Sequence, residues 1–251
     1  MIEARALHKE FGAVKAVDDV TFRADDGIVT GLLGPNGAGK TTTLRMLTTL
    51  IVPDSGAALI DGIDVTKDPM EARRRLGVLP DARGLYPRLT AREHARYAGR
   101  LHGMPKQLLE QRIEELVQQL DLASIADRRT EGFSNGERVK VALARALVHS
   151  PRNVLLDEPT NGLDVLATRA VRELIRKLKA DGKCVVFSSH VMQEVSALCD
   201  RIVVVAHGRV VADGTPDELK ARAGTASLEE AFISIIGSDK GLVVSEKGLV
   251  Q

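Results

Sequence analysis

The sequence predicts an α/β fold, with a mixed, largely parallel sheet and flanking helices, an antiparallel β layer and an inserted helical subdomain. Three observations carry that prediction. Apolar runs alternate with helix-like segments, the pattern of a sheet with a parallel core and helices on its faces. The opening residues alternate as antiparallel strands, and from about Thr90 to Leu122 the apolar spacing changes to that of helices. A chain of 251 residues, 44% hydrophobic and 27% charged, is long enough to give one large domain a sizeable core.

In chain order, Ile2 to Phe22 gives short alternating stretches broken at Phe11-Gly12 and at Asp18-Asp19. Ile28-Val29-Thr30-Gly31-Leu32-Leu33 reads as a buried strand that runs into a glycine loop and then a helix through Leu50. Ala57 to Val65, turned at Asp61-Gly62, completes the antiparallel layer. Leu108, Ile113, Leu116 and Leu120 mark a helix face, and a further helical stretch passes Gly136 to reach Leu147. Strand patterns return at Val154-Leu155-Leu156, Val185-Val186-Phe187 and Ile202-Val203-Val204-Val205. The expected organisation is a single domain over 1–225, with the α/β core at 1–80 and 149–225 and the helical subdomain at 81–148. A C-terminal helix and tail occupy 226–251; the helix lies around Ser227 to Phe232 and docks on the core or on a partner. The tail repeats Lys-Gly-Leu-Val at Lys240 and Lys247, to which no function is assigned.

Composition narrows the function classes. With 35 Lys+Arg against 34 Asp+Glu, the formal charge of +1 lacks the basic excess of a nucleic-acid binder, so no nucleic-acid partner is expected. The densest basic run, Arg73-Arg74-Arg75, reads as a solvated helix face. Cys184 and Cys199 make no disulfide framework and read as buried thiols in a reducing compartment. Met1-Ile2-Glu3-Ala4-Arg5 lacks the apolar core of a signal peptide, and no run approaches the ~18 apolar residues of a membrane span. A cytoplasmic protein is expected, with any membrane role supplied by a partner.

Gly34-Pro35-Asn36-Gly37-Ala38-Gly39-Lys40-Thr41 matches the phosphate-loop pattern G-x-x-x-x-G-K-[ST] and sits between a strand and a helix, as its mechanism requires. Glycines let backbone N–H groups turn inward around phosphate oxygens, and the helix start favours an anion. Asn36, Gly37, Ala38, Gly39, Lys40, Thr41 and Thr42 are therefore candidate nucleotide-binding residues, with Lys40 on the β- and γ-phosphates and Thr41 on Mg²⁺. A core of the P-loop NTPase type follows. Val154-Leu155-Leu156-Asp157-Glu158 then places two carboxylates where a buried strand ends, which is where open α/β sheets bind ligands. Asp157 suits the Mg²⁺ shell, and Glu158 suits a general base for an attacking water. Ser134 with Glu137 reads as a capping box that starts a helix, leaving a short serine- and glycine-lined anion surface.

Phe133-Ser134-Asn135-Gly136-Glu137 resembles the signature motif of ABC ATPases, usually Leu-Ser-Gly-Gly-Gln. Asn161-Gly162-Leu163-Asp164 resembles their D-loop, and His190 after Phe187-Ser188-Ser189 resembles their switch histidine. The resemblance runs from about Leu7 to Leu219 in the family's order and spacing. It implies an ATPase in which Phe11 stacks on adenine, Glu158, His190 and Lys40 serve catalysis, and Thr41 and Asp157 hold Mg²⁺. It further implies that Ser134, Asn135 and Gly136 act in trans on the ATP of a second copy, with Asp164 linking the two sites. The implied assembly is a head-to-tail ATP-sandwich dimer bound to a multi-span membrane permease, peripheral on the inner face of the cell membrane.

Three positions depart from the family. Asp81 stands where Gln is usual; a carboxylate only accepts, so Asp81 either joins the Mg²⁺ site, which is the expectation, or sits away from the metal. Asn135 replaces a glycine but tolerates the loop's backbone. Glu137 replaces Gln and brings negative charge near an incoming γ-phosphate. The segment from Asp81 to Glu93, whose Leu85 and Tyr86 either anchor a partner or pack on the subdomain's own helices, most resembles the sodium-extrusion, NatA-type branch, with drug- and antibiotic-export ATPases as neighbours. A non-transport ABC protein acting on DNA or ribosomes fits less well. The stretch between Lys40 and Ser134 is too short, and too poor in heptads, for a coiled-coil insertion, and the chain holds one cassette.

Overall fold

Alternation builds the first layer. Ile2, Ala4 and Leu7 of β1 (Ile2–Phe11) point inward, and β2 (Val14–Ala24) returns antiparallel with Val17, Val20, Phe22 and Ala24 buried. The interruption expected at Asp18-Asp19 is a bulge inside β2. Asp19 takes a φ of 70°, and the register slips between the Leu7–Val20 and His8–Asp18 pairs. β3 (Val29–Leu33) is buried along its whole length and delivers the chain to the phosphate loop and α1 (Lys40–Leu47). This helix stops at Leu47, short of the expected Leu50. Thr49 turns left-handed at φ 64°, and the Leu50 N–H reaches back to Arg45 O at 2.9 Å, closing the last turn. β4 (Ser55–Ile60) and β5 (Ile63–Asp64) complete a four-stranded antiparallel sheet in the order β2-β1-β4-β5.

The exposed arginines of α2 (Pro69–Arg74) are paired rather than free. Arg73 donates to Thr49 Oγ1 at 2.5 Å, and Arg74 and Arg75 both bond Glu71. After β6 (Leu76–Leu79) come α3 (Ala91–Leu101), α4 (Lys106–Gln119) and α5 (Asn135–Leu147). The buried face of α4 is set by Leu109, Ile113, Leu116 and Val117; Leu108, which the spacing placed on that face, points to solvent. The reason is phase. Leu109 and Ile113 lie four apart and share a face with Leu116, whereas Leu108 sits a residue out of step with them.

β7 (Asn153–Asp157), α6 (Val165–Ala180), β8 (Cys184–Ser189), α7 (Met192–Leu198), β9 (Arg201–Ala206) and β10 (Arg209–Gly214) follow. The second sheet has six strands in the order β10-β9-β3-β8-β7-β6, parallel except for β10. Its two faces feed different cores. Leu32, Leu155, Val186 and Val203 pack with α1 and the antiparallel sheet, while Leu33, Leu156, Phe187 and Val204 pack with the helices from α3 to α7. The last helix of the α3–α5 group is shared: α5 also lies on β6.

α8 (Pro216–Ala223) and α9 (Leu228–Asp239) close the chain, and α9 rests on α8, β10 and α7, with Leu228 and Ala231 buried. The computed structural model describes residues 1–82 and 84–239, so the repeated Lys-Gly-Leu-Val of the tail lies outside the described residues. Both cysteines are buried, unpaired thiols; burial pushes the Cys184 thiol up to about 12 and raises Cys199 as well. Among the described residues no helix is long and apolar enough to cross a membrane.

Candidate functional site

The carboxyl ends of β3, β7 and β8 meet at one edge of the six-stranded sheet, and the sequence places a phosphate loop, two carboxylates and a histidine just there. Gly39 caps α1 at φ 102°, and a Cβ on it would fall 2.4 Å from Ala16 O, so only glycine permits the turn. No side chain caps this helix start. Its first N–H groups thus have no partner within the helix and face a cavity of about 620 Å³. Residues 36–42 line that cavity, together with residues 14–16, Asp81, Glu158, Asn161 and His190.

Lys40 is buried under the loop, where its Nζ donates to Gly34 O at 2.7 Å and Pro35 O at 3.1 Å and lies 3.8 Å from Glu158 Oε1. Burial lowers the pKa of its ammonium, against the opposing pull of Glu158 and Asp157. Thr41 Oγ1 donates to Asp157 Oδ1 at 3.2 Å, bringing a hydroxyl and a carboxylate oxygen together. Two hard oxygen donors fit Mg²⁺, which takes few protein ligands and completes its shell with phosphate oxygens and water. The described residues contain no group of three His, Cys, Asp or Glu able to hold a metal by themselves. Asp81 lines the cavity without closing such a set with Asp157 and Glu158.

Glu158 has a backbone that few non-glycine residues adopt, with φ at 45°. The surroundings hold it there: its N–H donates to Ser188 Oγ at 3.0 Å, and Ser188 in turn donates to Asp157 Oδ1 at 2.6 Å. One hydroxyl therefore fixes both carboxylate residues. The Glu158 side chain then meets His190, whose Nδ1–H donates to Oε2 at 3.0 Å. Sequence reading passed over Ser188. The strand register sets it directly beside Asp157, a pairing that no local sequence pattern marks.

Phe11 ends β1 at the hairpin tip, half exposed and under Lys9, whose Nζ stands 5.7 Å from the ring centre. It does not line the phosphate cavity; Val14 across the hairpin does. Ser134 caps α5 as the box predicted. Its side chain accepts from Glu137 N at 3.2 Å, and Glu137 Oε2 accepts from Ser134 N at 2.7 Å. Neither Ser134 nor Gly136 lines the cavity of the phosphate loop in the same chain. Asn135 and Asp164 are likewise outside it: Asn135 bonds the backbone at Asn161 and Gly162, and Asp164 caps α6 by accepting from Ala167 N at 2.8 Å. Leu85 packs on the helical core. Tyr86 stacks on His94 and meets Tyr97 edge-on, each at 6.0 Å, while remaining more than half exposed.

Residues 17–161 match the ABC transporter family. The ABC transporter ATP-binding protein NatA of Bacillus subtilis (strain 168) is 44% identical over 92% of this chain and 94% of its own length. The doxorubicin resistance ATP-binding protein DrrA of Mycobacterium tuberculosis (strain H37Rv) is 37% identical over 90% of this chain and 71% of its own. A solved dimer of the ATP-binding cassette MJ0796, in a post-hydrolysis state with ADP and Pi, superposes with a TM-score of 0.79. It is 27% identical, covering 86% of this chain and 98% of that one.

Proposed function

This chain belongs to the ABC transporter family as an ATP-binding, ATP-hydrolysing subunit, and from that premise we propose that it drives export through a separate membrane permease by closing head to tail on ATP with a second copy. The observation that carries the dimer is the separation of the two anion-binding helix starts. The phosphate loop opens into a cavity that the chain's own Ser134 and Gly136 do not line. A two-fold arrangement brings one copy's serine turn onto the triphosphate held by the other.

The position of each residue supports the part given to it. Residues 36–42 hold the phosphates through backbone N–H groups, Lys40 neutralises their charge, and Phe11 covers the base from the hairpin tip. Thr41 and Asp157 would hold Mg²⁺, which would supply neutralisation of the phosphate charge. Asp81 faces the same cavity as an outer acceptor for water. Glu158 receives a proton from the attacking water, and the His190 bond keeps its carboxylate aimed and partly compensated. Asp164 keeps the D-loop in place as the cap of α6 while offering that loop to the second copy.

The permease docks on the face carrying Tyr86, Tyr97 and Leu101. Beside Leu101 a groove of about 250 Å³ opens between α3, β6 and α5, with Arg73 and Arg145 among its lining residues. The chain is then peripheral on the cytoplasmic face of the membrane. Within export, the segment from Asp81 to Glu93 and the likeness to NatA favour Na⁺ as cargo; the likeness to DrrA supports a drug as the second reading. Glu158→Gln is the direct test of the mechanism. It should bind ATP, accumulate as a dimer on size exclusion, and lose about 10²-fold or more in phosphate release. A variant that stays monomeric at saturating Mg-ATP rejects the head-to-tail scheme. Vesicles holding the protein and its permease should show ATP-dependent ²²Na⁺ flux; drug efflux without it selects the second reading.

A further inference from the structure

The turn that offers Ser134 to a second copy is fastened to the loop that follows Glu158 in its own chain. Asn135 Nδ2 donates to Gly162 O at 3.0 Å and to Asn161 O at 3.2 Å. Both partners are carbonyls, so only the amide NH₂ can face them and the orientation of the side chain is fixed by chemistry. The contact is close on every side. A Cβ on Gly162, at φ 69°, would stand 3.0 Å from Asn135 Nδ2, and a Cβ on Gly136 would stand 3.2 Å from the Ala167 Cβ of α6. The usual family glycine at position 135 has no side chain with which to make this tie.

The far end of the same loop is fastened as well. Thr160 Oγ1 donates to Glu194, a buried carboxylate on α7, just beyond His190. Inside the loop, Asn161 N bonds Glu158 O at 3.2 Å and Leu163 N bonds Thr160 O at 3.1 Å. Asn161 also lines the chain's own phosphate cavity. A short hydrogen-bonded turn therefore spans from the residue that faces this chain's ATP to the residue that steadies the lid offered to another's.

We infer that Asn135 is a positioning residue, locking the serine turn and the 158–164 loop into one unit so that the state of a chain's own nucleotide site sets the pose of the lid it presents to its partner. The inference rests on the head-to-tail reading for its functional half; the intrachain tie itself does not. Its consequence is coupling between the two sites of a dimer. Without the amide, each lid should still form but no longer follow the neighbouring site.

The test uses Asn135→Ala and the isosteric Asn135→Asp, which keeps the shape but sets a carboxylate against two carbonyls. Amide hydrogen exchange of the full chain, without nucleotide and dilute enough to be monomeric, should speed up several-fold at residues 160–164 in both variants, more in Asp than in Ala, with residues 37–42 unchanged. Steady-state ATPase should lose roughly tenfold in kcat, about what two neutral hydrogen bonds supply, and its Hill coefficient in ATP should fall toward one. Unchanged exchange at 160–164, or an Asp variant that behaves as wild type, overturns the inference. Faster exchange in a protein that never dimerises with ATP would keep the tie and discard the dimer, so the two failures are told apart.

Discussion

The starts of α1 and α5 are built for the same kind of ligand in opposite ways. At α1 the capping residue is Gly39 and no side chain satisfies the first N–H groups, so the helix end is left for phosphate. At α5 the Ser134–Glu137 box already occupies two donors, and the Glu137 carboxylate sits in the first turn with Arg128 Nη1 3.9 Å away. The first end leaves its N–H groups open, with no side chain bonded across them. The second is held closed by its own side chains, and offers an anion only the Ser134 hydroxyl and the remaining N–H groups. That difference supports the proposal that one end binds within the chain and the other serves a charged group brought by a second copy.

The largest effect should fall on the open end. Lys40→Ala removes the ammonium buried beneath the loop and should cut phosphate release by about 10²–10³-fold, measured at saturating Mg-ATP. Retention of more than a tenth of the rate would show that the backbone suffices. Next comes Ser188→Ala, which leaves the Glu158 N–H without its partner and frees the strained backbone. We expect roughly tenfold slower turnover and a loss of about 1–3 kcal/mol in urea unfolding. If turnover falls with no loss of stability, Ser188 serves aim rather than folding.

Glu137→Gln probes the closed end. The amide still reaches Ser134 N but no longer opposes a phosphate, so ATP-driven dimerisation should tighten by roughly 2–5-fold, in line with a charge at a helix start. Analytical ultracentrifugation against ATP reads this directly, and weaker association would mean that the box matters more than the charge.

The smallest effect on activity lies away from both helix ends, in the stacked pair His102 and His149, whose rings are 3.6 Å apart. Burial drives the His149 pKa down to about 4, and burial lowers His102 too. Both are neutral in the fold, whereas the unfolded chain takes up protons below about pH 6.5. The stability they permit is complete above that pH and is lost as pH falls toward 4. Urea midpoints between pH 7.5 and 4.5 should therefore decline, and His149→Asn should flatten the decline while leaving ATPase at pH 7.5 nearly unchanged.

Much of this molecule was legible without coordinates because its chemistry is local. The phosphate loop is contiguous in sequence, the Asp157-Glu158 pair ends a recognisable apolar strand, and the Ser134–Glu137 box spans a single helical turn. Strand and helix types followed from periodicity for the same reason. Where prediction slipped, a longer-range fact had decided. The left-handed Thr49 ended α1 early, a bulge absorbed Asp19, and the phase of α4 against α3 and α5 chose Leu109 over Leu108. Ser188 between the two carboxylate residues, Glu194 on Thr160, and Asn135 on the loop at Gly162 join residues 31, 34 and 27 positions apart. Hydrogen bonds of that range depend on which strand ends and helix starts the packed sheet sets side by side, and a neighbour-to-neighbour pattern carries no record of that placement.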